Sequence, residues 1–168
     1  LLIRSLDPES RPKDLVKGSC EECRKGTHRA SLPLEDELAR IEVKKSSVRV
    51  AELSTILRFA GGLHLIAGRV AIEVEVDGAA IARRISKDLA EVFGVKSELA
   101  VISAGGIRKQ SHYQVRVLDQ GDVLARQTGL VDGRGRPVRG LPASLVSGSI
   151  EEAQAVWRGA FLAHGSLT

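Results

Sequence analysis

Leu57-Arg58-Phe59-Ala60-Gly61-Gly62-Leu63 and Phe161-Leu162-Ala163-His164-Gly165-Ser166-Leu167 decide how this chain is read. Each closes an apolar helical pattern on small residues and then turns toward a strand. Upstream of the first, Val50, Leu53, Ile56, Leu57 and Ala60 recur at helical spacing, and Ser46 or Ser47 stands where a cap is expected. Upstream of the second, Ser149-Ile150-Glu151-Glu152 spells a capping box, in which a hydroxyl and a carboxylate each take a free backbone N–H. Ala153, Val156, Trp157, Ala160 and Phe161 continue that helix. Two helices with matching ends suggest two related halves. Small residues also let two helix backbones come close together.

Between these helices, Arg69 to Asp77 alternates without a break. Val70, Ile72, Val74 and Val76 point one way, and Ala71, Glu73, Glu75 and Asp77 the other, as in a half-buried strand. His64 and Leu65 belong to its partner, with a turn near Ala67-Gly68. Ala79 to Phe93 is helical, with Ile81, Ile85, Leu89 and Val92 inward and Arg83, Arg84 and Lys87 outward. Strands follow near Glu98–Ser103 and His112–Leu118, and a short helix over Asp122–Gln127. Glu35–Glu42 predicts a short helix with acid at its N-terminus, and Gly129–Gly148 a Gly-, Pro- and Arg-rich loop. The strands fall in hairpins, so the expected class is α+β: an antiparallel sheet with helices packed on one face.

Residues 1–30 are charged and rich in Pro, Gly and Ser, and read as a disordered or extraneous extension. Cys20 and Cys23 form a C-x-x-C with His28 nearby. That is at most three ligands where zinc needs about four, so the thiols read as exposed and reduced, with no metal. No apolar run is long enough to span a membrane, and no secretory signal is visible. The expected location is cytoplasmic. Methionine is absent, so the chain is expected to be a piece of a longer protein. Aromatic residues make up 3% of the chain, which argues against binding by stacked bases. Net charge is +4. All of it arises between Ser103 and Gly140, where seven Lys and Arg face three Asp, seven minus three giving +4. A basic segment on a neutral scaffold predicts a polyanionic partner.

Five stretches carry a family resemblance: Arg58–Leu63, Ser103–Lys109, Leu124–Leu130, Arg134–Pro142 and Trp157–Thr168. Together they resemble the actinobacterial form of the WhiA family of sporulation and cell-division regulators, from about Leu32 to Thr168. The resemblance implies a homing-endonuclease scaffold of the LAGLIDADG type, followed by a C-terminal helix-turn-helix module outside this chain. Residues 31–148 would form the first half of the scaffold, with 129–148 as a connecting loop. Residues 149–168 would supply the first helix of a truncated second half. It further implies a DNA-binding transcriptional regulator with double-stranded DNA as partner. The alternative is a scaffold that docks a WhiB-like iron–sulfur regulator, with DNA binding supplied by the missing module.

Endonucleases of this type carry an acid at the end of each paired helix, holding divalent metal against the scissile phosphate. Here those positions match Ala60 and His164. Alanine binds no metal, and magnesium prefers oxygen to imidazole nitrogen. The chain is therefore expected not to be an enzyme, with no catalytic residue, cofactor, metal or small-molecule substrate. The expected DNA contacts are Arg108, Lys109, His112 and Arg116 around one hairpin, as phosphate contacts, with Gln110 and Gln114 within reach of base edges. Arg134, Arg136 and Arg139 lie in the later loop. Arg134-Gly135-Arg136-Pro137 resembles the core of a minor-groove AT-hook, but it equally suits general phosphate contact or a plain connection.

Overall fold

The computed structural model describes residues 31–103 and 111–164. The order is α1 (Ser31–Arg40), α2 (Ser46–Ala60), β1 (Gly61–Ile66), β2 (Arg69–Val76), α3 (Ala79–Phe93), β3 (Glu98–Ile102), β4 (His112–Val117), α4 (Gly121–Gln127), α5 (Ala143–Val146) and α6 (Ile150–His164). The four strands form one antiparallel sheet in the order β1-β2-β4-β3. Ala67 and Gly68, at φ +51° and +77°, make the tight turn between β1 and β2. The expected class is thus the observed one.

One apolar core lies between sheet and helices. Ile72, Val74 and Val76 of β2 and Val115 and Val117 of β4 meet Ile81, Ile85 and Leu89 of α3 there. Leu53, Ile56 and Leu57 of α2, Leu124 of α4 and Leu162 of α6 join it. Among the described residues, no helix is long and apolar enough to cross a membrane.

Four local expectations need correction. α1 begins at Ser31 rather than Glu35, with no acid in its first turn. Ser46 and Ser47 lie inside α2, which starts from Lys45 without a side-chain cap. The Ser47 hydroxyl instead supports the Glu152 carboxylate of α6. The stretch after Gly129 is not a structureless loop, because it contains α5 and a small hairpin described below.

The fourth correction concerns α2. An amphipathic stripe was expected, yet every residue from Ala51 to Leu57 is buried. Leu53, Ile56 and Leu57 belong to the core against the sheet, and α6 covers the other side. Lys45 pairs with Glu151 near the two N-termini, and Gly159 lies over Glu52 and Thr55 further along, so the helices run parallel. A Cβ on Gly159 would stand 2.6 Å from the Glu52 carbonyl oxygen, so only glycine permits this approach. Ala51 and Ala155 pack together beside it, both fully buried. The Thr55 hydroxyl donates to the Ala51 carbonyl at 2.7 Å, so it enters the interface satisfied.

Candidate nucleic-acid interface

The register assigns each side chain of the sheet to a face. Residues turned away from the helices form three rows. Glu73 of β2, Arg116 of β4 and Glu98 of β3 make one row. Glu75, Gln114 and Ala100 make the next. His112 and Ile102 continue into the third, with Asp77 just past the end of β2. Arg69 lies toward the opposite end of β2. The described part of this face therefore sets four carboxylates, Glu73, Glu75, Asp77 and Glu98, against two guanidinium groups, Arg69 and Arg116.

The basic groups on this face are already engaged. Arg116 Nε donates to Glu73 Oε2 at 3.0 Å. Gln114 is buried and donates its amide to Glu73. His112 Nδ1 lies 2.7 Å from Asp77 Oδ1 and 3.9 Å from Glu75. Arg69 lies 3.7 Å from Asp119. A guanidinium held by a carboxylate adds little net field toward a phosphate, because the neighbouring charge cancels it. Arg108, Lys109 and Gln110, which fall between β3 and β4 in the sequence, lie outside the described residues, as do Cys20, Cys23 and His28.

The second group of expected contacts sits on a separate element. Asp132 N–H donates to the Arg136 carbonyl at 2.8 Å and Val138 N–H to the Leu130 carbonyl at 2.9 Å, closing a hairpin over 130–138. Gly135, at φ +76°, takes the left-handed position that the turn requires. One Asp132 carboxylate oxygen accepts the backbone N–H groups of Arg134 and Arg136, and the other accepts Arg136 Nε, each at 2.9 Å. These bonds, led by the Arg136 N–H, hold the Asp132 carboxyl below its usual value. Arg58 of α2 anchors the hairpin's base through the Val138 and Gly129 carbonyls at 2.5 and 2.8 Å. Arg134-Gly135-Arg136-Pro137 is thus a folded turn rather than an extended strand. Arg134 and Arg139 are exposed, while Arg136 is paired with Asp132.

The paired helices end where the sequence comparison places them. Ala60 is the last residue of α2 and His164 the last of α6, and neither offers an oxygen ligand. A carboxylate does lie within the helix pair, about two turns earlier. Glu52 is fully buried and holds Arg84 of α3 at 2.5 Å and Arg158 of α6 at 2.6 Å. Its two oxygens are saturated by guanidinium groups, so it serves as a structural clamp joining three helices. Arg84 was expected to face outward. Its side chain is 11% exposed, because it also donates to the Ala39 and Ile41 carbonyls at the end of α1. Nothing in the sequence marked Glu52 except its position inside an apolar stretch.

The family model of the WhiA N-terminal LAGLIDADG-like domain matches residues 46–131. The probable cell division protein WhiA of Pseudarthrobacter chlorophenolicus is 64% identical over 135 residues, covering 80% of this chain and 41% of that protein. The protein of the same name from Streptomyces avermitilis is 60% identical over the same length and coverage. The chain thus spans about two fifths of the length of these curated relatives. Among solved structures, the N-terminal LAGLIDADG domain of DUF199/WhiA superposes with a TM-score of 0.53 at 15% identity, covering 82% of this chain and 59% of that one. Full-length DUF199/WhiA from Thermatoga maritima gives 0.50 at 16% identity, covering 81% and 39%. At such low identity these two structures speak for the fold alone.

Proposed function

The chain belongs to the WhiA family, and from that premise we propose that it is part of a DNA-binding transcriptional regulator of bacterial cell division and sporulation, on a scaffold that does not cut DNA. One observation carries the non-cleaving part. The parallel helices α2 and α6 end on Ala60 and His164, where metal-dependent cleavage needs oxygen ligands. Glu52, the buried acid between the paired helices, is held by two arginines. On this reading the protein acts at the nucleoid with double-stranded DNA as partner. Arg108, Lys109, Arg134 and Arg139 supply phosphate contacts, His112, Arg116 and Arg136 join them only by giving up their carboxylate partners, and no metal or cofactor takes part.

The test is the affinity of the full-length protein for duplex DNA across a salt series. Specific binding with a steep salt dependence is expected. Affinity that is absent, or insensitive to salt, overturns the reading.

A second reading is favoured by the charge of the sheet. With Glu73, Glu75, Asp77 and Glu98 on the open face, this domain suits docking to a basic protein surface better than to phosphate. The partner proposed is a WhiB-like iron–sulfur regulator, with sequence reading left to a helix-turn-helix module elsewhere in the protein. Loss of that complex on Glu73→Lys, with DNA affinity unchanged, would favour this reading over direct contact.

A further inference from the structure

Four basic groups without a described ion pair line one cleft beside α3. A cleft of about 600 Å³ runs between the segment joining α1 to α2 and the outer side of α3. Arg40 and Lys44 line one wall, and Arg83 and Lys87, one helical turn apart, line the other. No described ion pair engages these four. Deeper in the cleft, Arg49 is held by Asp88 at 2.6 Å and by Glu91 at 2.7 Å, and Arg84 is held by Glu52. The internal ion pairs are therefore complete without the four outer cations, and Glu42 is the other carboxylate of the lining.

From this arrangement we propose that the cleft binds phosphate groups, either of a nucleic-acid backbone or of a free oligophosphate. Four cations around one small space repel each other unless an anion of high charge density enters. A phosphoryl group concentrates charge and three acceptor oxygens in one place, which suits a cleft lined by ammonium and guanidinium groups on two walls. An acidic peptide spreads its charge along a chain and needs apolar anchors or a sheet edge. This lining offers only Ala39, Ile41, Val43 and Ala80 for that purpose. The volume lies within the range of about 300–1,000 Å³ typical of small-ligand sites.

The test uses the full-length protein with inorganic tripolyphosphate in calorimetry and duplex DNA in anisotropy. Arg83→Gln/Lys87→Gln and Arg40→Gln/Lys44→Gln alter opposite walls. Lys96→Gln/Arg126→Gln removes the same charge from exposed positions outside the cleft. Each cleft pair should weaken tripolyphosphate binding about tenfold or more, and the control pair less than about twofold. A matching loss of DNA affinity, with the salt slope reduced by about two, identifies the backbone as the source, since each phosphate contact contributes about 0.9. Loss for tripolyphosphate alone identifies a free oligophosphate. Equal effects of cleft and control pairs, or no saturable tripolyphosphate binding with unchanged DNA affinity, overturn the proposal. DNA binding that survives both cleft variants removes the backbone source but leaves the regulator reading intact. Tripolyphosphate binding by a protein that ignores DNA does the reverse.

Discussion

The open face of the sheet and the outer side of α3 differ in how their charges are matched. On the sheet, Arg116 lies between Glu73 and Glu98, and His112 between Glu75 and Asp77, so cations are matched as they appear. Beside α3, Arg40, Lys44, Arg83 and Lys87 line one cleft, and among its described lining residues Glu42 is the one acid outside the internal ion pairs. Charge counted along the sequence puts the basic segment at 103–140. Folding changes that picture, because strand register sets Arg116 beside an acid some forty residues away. What attracts a polyanion is charge left over after pairing, not charge counted along the chain.

The largest expected effect probes the Glu52 clamp that joins α2, α3 and α6. Glu52→Gln would leave Arg84 and Arg158 buried without a counter-charge, and losing one member of a buried pair costs about 3–5 kcal/mol. Urea unfolding reads this directly, and a loss under about 1 kcal/mol would mean that the helices do not depend on the clamp. Gly159→Val comes next, at about 1–3 kcal/mol for overpacking. The same unfolding curves check it, and an unchanged midpoint would show that α6 does not sit against α2 as described.

A smaller effect tests the sheet itself. Glu73→Gln/Glu75→Gln/Asp77→Asn frees Arg116 and His112, and exposed ion pairs are worth about 0.2–1 kcal/mol each. Stability should change little. DNA affinity at low salt should rise severalfold if this face approaches DNA, and stay constant if it docks a protein. The smallest effect concerns the start of α6. The Ser47 hydroxyl, with the Ser149 N–H, holds the Glu152 carboxyl below its ordinary value. Its contribution is therefore full above the ordinary carboxylate range and is lost as pH falls through the lowered folded value. Glu152→Gln should be less stable than the parent at neutral pH, with the gap closing in acid. A gap independent of pH would contradict the assignment.

Much of the fold was legible because it is written in local periodicity. The alternation of Arg69–Val76, the stripe of Ile81, Ile85 and Leu89, and the box at Ser149–Glu152 each specify their element from nearby residues. The burial of α2 on two sides was not legible. It depends on a helix about a hundred residues away and on one glycine that allows contact. The 130–138 hairpin was hidden for a similar reason, since Asp132 and Arg58 organise it from outside the Arg-Gly-Arg spelling. Of the candidate site, the ends of the paired helices on Ala60 and His164 could be read directly from the sequence. The pairing of His112, Arg116 and Arg136 could not, because each partner is set by register or by a turn.

The most direct test of the central claim, a LAGLIDADG-like scaffold that binds DNA without cutting it, is incubation of the full-length protein with supercoiled plasmid in magnesium. The prediction is a retarded band that returns to fully supercoiled DNA once protein is removed. Nicked circles or linear product that accumulate with time would contradict it.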